Sequence, residues 1–396
     1  MSQKNLTPEQ LTAYSNLNID PKNRIIISLD GGGIRGILTL QLLKKMEEIA
    51  GLPLNQFCDL FAGTSTGGII TGLLASGHSA VEIEQLYVQL VNKVFLKRAF
   101  LSDRFLNPPA YDKKNYRAAL KTVIGNKTLK DTCSANNVDI MITAKDITDN
   151  DEAFFTCFNT VDGIKGTYSD ILLRTAMEAT MSAPTYFRPL EMFVDGGTTT
   201  YNNPSLAALM EAVRYDGHGK YTLPNITLFS MGTGRLVKSV SSADGANPPG
   251  IDAYFWLNYV MDESSQDASS MQNDLFRAGV IALDFRRFQL SFDMASINKL
   301  PDRDISAIHF TNAQWLHDLT DEELQKVEMD DVSKFDLMKE IGGAMVDYIM
   351  QKNKFQHDLN DTPTERDELV TAFDNTTRIK AIMSDPVWID TKIPTA

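Results

Sequence analysis

Only three cysteines occur in 396 residues. Cys58, Cys133 and Cys157 are too few, and odd in number, for a disulfide scaffold, so reduced thiols in a cytoplasm are the expected state. Positive charge is also scarce: 38 Lys and Arg against 51 Asp and Glu give a net charge of -13. That balance argues against nucleic acid as a partner and against permanent attachment to an anionic membrane. The polar first 23 residues lack the basic stretch and apolar core of a secretory signal, and no apolar run reaches membrane-spanning length. No repeat or low-complexity tract occurs. No His, Cys or paired-acid cluster stands at metal-ligand spacing, so neither metal nor cofactor is expected. What the chain does have is 43% hydrophobic residues, enough for a full core in one large domain or two.

The densest chemical signal is Gly63-Thr64-Ser65-Thr66-Gly67, set between the apolar residues 60–62 and the apolar run 69–75. This is the spacing of a nucleophile elbow, where a strand turns sharply into a helix and leaves a serine hydroxyl at the helix N-terminus. Unpaired amides and the helix dipole favour negative charge there, which suits a tetrahedral oxyanion. Two glycines and a serine at these offsets arise by chance in roughly one chain in ten of this length, so the neighbouring sequence has to decide.

About thirty residues earlier, the apolar strand 24–29 ends in Asp30 and is followed by Gly31-Gly32-Gly33-Ile34-Arg35-Gly36 and an amphipathic helix over 37–50. Leu40, Leu43 and Met46 fall on successive turns, while Lys44, Lys45, Glu47 and Glu48 supply the wet face. Gly31, Gly33 and Gly36 fit the dinucleotide pattern G-x-G-x-x-G. The pattern's acid, about twenty residues on at the end of the second strand, is missing, because Asp59 precedes its strand. No Gly-Lys-Ser/Thr follows either, which argues against a Walker loop. Far downstream, Met192-Phe193-Val194-Asp195-Gly196-Gly197 places an acid at a strand end. Asn203 and Pro204 then open a helix as N-cap and first turn.

The order GGGIRG, GTSTG, DGG resembles the patatin-like phospholipases, a family of lipid acyl hydrolases, over residues 24–234. The stretch Ala179-Thr180-Met181-Ser182-Ala183-Pro184-Thr185-Tyr186-Phe187 is similar to the family's approach to its catalytic acid. The paired asparagines, Asn202 and Asn203, follow the Asp-Gly-Gly slightly later than is usual in the family. The resemblance implies a three-layer α/β/α fold with a mainly parallel sheet. It also implies a Ser65–Asp195 dyad without histidine, and an oxyanion hole from the amides of Gly32 and Gly33. Gly31, Gly36, Gly63, Gly67, Gly196 and Gly197 complete the motifs.

The residues themselves add constraints. An aspartate with an ordinary pKa is a feeble base for a hydroxyl, so Asp195 is expected to be desolvated. The Thr66 amide could assist the oxyanion hole, whereas the Thr64 and Thr66 side chains are assigned no catalytic role. Arg35 either steadies the anion or a lipid phosphate, or struts the loop against a carboxylate such as Asp30. A Ser-Asp-His triad is the mechanistic competitor, since His218, His309, His317 and His357 all follow Asp195.

The resulting expectation is a phospholipase A-type hydrolase acting in lipid degradation, with an acyl lipid as substrate and transient contact with a membrane surface. An acyltransferase using the same dyad and a catalytically idle anion-binding regulator are the alternatives. Ser79 and Glu82 read as a capping box for a helix to about residue 96. Residues 98–111, with Phe100, Phe105, Pro108 and Pro109, form a loop or cover. Strands are expected at 139–144, 153–158 and 226–231, and a helix near 170–181. Tyr254, Phe255, Trp256, Tyr259 and Met261 make an aromatic helical segment, by default a core helix. The domains read as a polar segment 1–23, an acyl hydrolase domain 24–300 and a helical, acidic extension 301–396 packed on the domain. The extension is expected either to gate activity, so that truncation before Leu300 raises it, or to be structural, so that truncation leaves a dead or unfolded protein.

Overall fold

The computed structural model describes residues 4–94, 111–158, 168–184, 186–215, 219–236, 253–308, 311–352 and 354–356. Its strands are β1 (Arg24–Leu29), β2 (Leu60–Gly63), β3 (Asp139–Asp146), β4 (Asp151–Thr156), β5 (Phe193–Asp195), β6 (Ile226–Met231) and β7 (Asp284–Phe288). They join in the order β4-β3-β2-β1-β6-β7, with β5 beside β3. Every pairing is parallel except β3 with β4 and β3 with β5.

The helices are α1 (Pro8–Asn16), α2 (Gly36–Ala50), α3 (Thr66–Ala75), α4 (Ala80–Val94), α5 (Lys114–Ile124), α6 (Leu129–Asn136), α7 (Leu173–Thr180), α8 (Ser205–Tyr215), α9 (Ala253–Arg277), α10 (Met294–Ile297), α11 (Asp321–Gln325) and α12 (Phe335–Lys352). Because strand side chains alternate between faces, Ile25, Ile27 and Leu29 join a core with α2, α3 and α12. Ile26, Leu60 and Ala62 join another with α8 and Phe276 of α9. Both faces of the sheet are therefore covered, which is why β1 reads as a nearly continuous apolar run interrupted only by the buried Ser28 after Arg24 and why the architecture is three-layered α/β/α. None of the helices among the described residues is long and apolar enough to cross a membrane.

Two expectations change and a third narrows. The sulfurs of Cys133 and Cys157 are paired, leaving Cys58 free and buried. The two residues are 24 apart in sequence and meet because β3 and β4 fold back on each other, a pairing that spacing alone does not announce. The described residues of 303–334 are turns, an isolated bridge and short helices rather than one continuous helical segment. The acids there stay largely exposed, as expected, and several also satisfy backbone amides: Asp318 accepts from Trp315 N–H, Asp321 from Met294 N–H and Glu323 from Thr320 N–H. Third, of the two roles open to the C-terminal part, gate or structural layer, the packing of α12 favours the structural one.

α12 lies directly on α2: a Cβ on Gly342 would stand 3.0 Å from Leu38 Cα. Leu337, Met338, Ile341, Met345 and Ile349 are fully buried in the common core. At roughly 1.5–3 kcal/mol for each such side chain, their removal is comparable with the whole stability of a domain, about 5–15 kcal/mol. A chain ending before Leu300 is thus expected to lose its cooperative unfolding transition rather than become hyperactive. Circular dichroism on heating and size-exclusion chromatography check this. The cover segment 98–110, Thr185, and His218, His309 and His357 lie outside the described residues, as do the side chains of the aromatic run in α9.

Candidate active site

β2 runs straight into α3 through Thr64 and Ser65, and Ser65 takes φ +52° and ψ -123°. Backbone of this kind in a residue with a side chain costs about 1–3 kcal/mol and persists only where its surroundings enforce it. The enforcement is visible. Ser65 N–H donates to Thr180 Oγ1 at 2.7 Å, while Thr64 Oγ1 bonds Thr143 Oγ1 at 2.6 Å and Tyr201 O at 2.8 Å. A Cβ on Gly63 would lie 2.2 Å from Gly67 O, and one on Gly67 would lie 2.2 Å from Leu29 O. The turn can close only with hydrogen at both positions.

The antiparallel pairing of β5 with β3 sets Asp195 opposite Ala144, at the end of β3 that lies beside the elbow. Asp195 N–H donates to Ser182 O at 3.1 Å, and Ser182 Oγ in turn accepts from Lys113 Nζ at 2.6 Å. The Asp195 carboxylate is buried. It accepts from Gly197 N–H at 2.7 Å, and the Ser65 side chain is close enough to favour its charged form. Burial pushes its pKa up to about 6, and these two groups only partly oppose the shift. The structure thus brings together a hydroxyl at residue 65 and a carboxylate at residue 195.

The triple-glycine bend packs over the same corner. A Cβ on Gly31 would stand 3.2 Å from Ser65 Cβ, and one on Gly36 would stand 2.0 Å from Thr66 Cγ2. Thr66 Oγ1 donates to Gly33 O at 2.8 Å, and Thr233 Oγ1 donates to Gly31 O at 2.8 Å. Thr66 begins α3, so its N–H belongs to the first turn, where a helix offers no internal acceptor. Among the described residues, no acceptor bonds the N–H groups of Gly32, Gly33 or Thr66.

Arg35 is buried, donates from Nε to Gly32 O at 3.3 Å and lies 5.8 Å from the centre of the Phe292 ring. Its suggested partner Asp30 is held by a different cation: Arg287 of β7 forms a two-pronged pair with it at 2.9 and 2.5 Å. Burial raises the Asp30 pKa and Arg287 opposes the rise. Arg287 also donates to Ser230 Oγ, and Ser205 Oγ bonds both Ser230 and Ser28. Asn203 Oδ1 accepts from Ser205 N–H at 3.1 Å, one residue before the helix start expected at Pro204. Gly196 packs on β3, where a Cβ would lie 2.2 Å from Thr143 Oγ1.

Sequence reasoning missed Thr180, Thr143, Tyr87, Thr233 and Arg287. Of these, Thr180 lay within the family-like stretch 179–187 without being singled out, and the others carried no local signal. His317 is tied to Leu300 O at 3.0 Å through Nε2. Among the described residues, no histidine touches Asp195 and no group of three or more His, Cys, Asp or Glu side chains could hold a metal.

Residues 27–209 match the family model described as patatin-like phospholipase. A cGAMP-activated phospholipase of Escherichia coli (strain TW11681) is 31% identical over 211 residues, covering 50% of this chain and 58% of that protein. A cUMP-AMP-activated phospholipase of Escherichia coli is 30% identical over 214 residues, covering 51% and 62%. The human calcium-independent phospholipase A2-gamma is 29% identical over 279 residues, covering 60% and 35%. The chain spans less than two thirds of the length of each.

Proposed function

We propose, from the premise that this chain belongs to the patatin-like phospholipase family, that it is a lipid acyl hydrolase working through Ser65 and Asp195. The observation that carries the reading is that Ser65, at the strained corner between β2 and α3, stands beside the buried Asp195 carboxylate, whose pKa burial pushes up to about 6 and the Ser65 side chain partly lowers. Ser65 Oγ attacks the ester carbonyl while its proton passes to Asp195. The oxyanion forms under the amides of Gly32, Gly33 and Thr66. Collapse expels the alcohol, which takes the proton back from Asp195, and an acyl-serine remains. Water then attacks the acyl carbon, giving its proton to Asp195, and the acyl–Oγ bond breaks, releasing the fatty acid while Asp195 returns the proton to Ser65 Oγ. Arg35, engaged with Gly32 O and Phe292, is assigned to bracing the loop rather than to holding phosphate. The substrate class is acyl glycerolipid, met at a membrane surface in transient contact. The hydrolase machinery lies within residues 24–300, and the described residues beyond 300, above all α12, pack on it.

The test is release of fatty acid from phospholipid vesicles, and of alcohol from a soluble ester, by wild type and Ser65→Ala in chelator. Unchanged release by Ser65→Ala would overturn the reading, as would abolition by chelator. Transfer of the acyl group to added alcohol in preference to water would redirect it to an acyltransferase.

The base must be ionised to act, so kcat/KM is expected to climb about tenfold per pH unit below pH 6 and to level off above it. A pH profile on the soluble ester checks this free of vesicle effects. A limb centred near pH 4 would mean that burial does not tune the base.

A further inference from the structure

Gly33 sits at φ +59° in the bend that carries the proposed oxyanion donors. Glycine backbone is the freest in the chain, yet an oxyanion donor is effective only when aimed at about 2.7–3.1 Å from the developing charge. Something must remove that freedom. The peptide joining Gly33 to Ile34 is gripped at both of its polar atoms. Its carbonyl accepts from Thr66 Oγ1 and from the hydroxyl of Tyr87 on α4. Its N–H donates to Met329 O at 2.8 Å. A Cβ on Gly33 would stand 2.1 Å from that same Met329 oxygen, so the main chain at 329 lies directly on the loop.

This outer grip is itself anchored. Val327 is fully buried, and Asp330 is buried and accepts from Tyr111 OH at 2.8 Å. The Phe335 ring stacks on Tyr87 with centroids 6.1 Å apart, which joins the two arms. Met329 stands far beyond the residues 27–209 that match the family model.

We infer that Tyr87 and the Met329 main chain form a clamp that fixes the Gly33–Ile34 peptide on one side of Gly33 while Arg35 holds the carbonyl of the Gly32–Gly33 peptide on the other, so that together they set the aim of the Gly33 N–H at the oxyanion. Tyr87 and Met329 are positioning residues, since neither touches substrate. The inference rests on the reading of Gly32 and Gly33 as oxyanion donors. It gives the C-terminal third a part in the chemistry opposite to that of an inhibitory gate: loosening the clamp slows the enzyme, whereas loosening a gate would speed it.

The experiment compares wild type, Tyr87→Phe, Asp330→Ala and Ser65→Ala on a soluble short-chain ester, with a trifluoromethyl ketone as tetrahedral mimic. Tyr87→Phe keeps the ring and its stacking and deletes one donor. It is expected to lower kcat about tenfold or more with KM within about twofold, and to weaken ketone binding in step with kcat/KM. Asp330→Ala, which frees the outer arm, is expected to move kcat in the same direction and carries the test if Tyr87→Phe does not fold. Unchanged kcat in a folded Tyr87→Phe, a loss confined to KM, or a rise in kcat in Asp330→Ala overturns the clamp. Activity surviving in Ser65→Ala overturns instead the reading of the site on which the clamp depends.

Discussion

Ser65→Ala is expected to lower ester hydrolysis by about four orders of magnitude or more while leaving the protein folded. The size of the loss follows from the absence of a stand-in. Thr64 Oγ1 is committed to Thr143 and Tyr201, and Thr66 Oγ1 to Gly33 O, so neither neighbouring hydroxyl is free to approach the carbonyl. Folding survives because the restraints on the elbow act through the Ser65 main chain, above all its N–H bond to Thr180, and alanine retains these. The decisive measurement is twofold. Steady-state turnover gives the magnitude, and intact mass after treatment with a fluorophosphonate reports one added group on wild type and none on the variant. An adduct persisting on Ser65→Ala would place the nucleophile elsewhere.

How much of this was legible in the residues depends on whether the cause was local. β6 runs from Ile226 to Met231 as the apolar run predicts, and α2 begins at Gly36, one residue before the expected start. In both, the hydrophobic period is set by the element itself. β7 was invisible because Arg286 and Arg287 look like solvent residues in the sequence. Each is buried because distant groups receive it: Asp30 and Ser230 for Arg287, Asp284 and the carbonyls of Leu17, Asn18 and Phe355 for Arg286.

The candidate site divides the same way. Ser65, Asp195 and the glycines announce themselves because a sharp turn restricts which residues fit. Thr180, Tyr87 and Met329 do not, since their value comes from which loop each meets across the molecule. The acidic composition beyond residue 300 suggested one helical extension, but acids such as Asp318 and Glu323 serve to cap short turns there, which composition alone does not distinguish.

Asp195→Asn is expected to cost about three orders of magnitude or more in turnover and, unlike most changes at a buried polar site, to raise stability above pH 6. Burial holds the Asp195 pKa at about 6, against about 3.9 for a free aspartate. A group with a raised folded-state pKa binds its proton more tightly in the native protein. The wild type therefore has its full stability below about pH 4, loses some as pH rises through 4 to 6, and stays depressed above that by up to about 3 kcal/mol. Asparagine carries no charge to desolvate, and its Oδ1 can keep the bond from Gly197 N–H. The gain should be absent at pH 3.5 and full at pH 8.

Asp30 is buried too, but Arg287 offsets its charge, whereas no cation among the described residues lowers the Asp195 pKa. The stored cost therefore belongs to the base alone, as expected where a catalytic group is held in a state that suits the reaction more than the fold. Denaturant unfolding of both proteins at pH 3.5, 6 and 8 resolves this. Equal stabilities at pH 8 would mean that the carboxylate is solvated in the native state, and its strength as a base would then need another source.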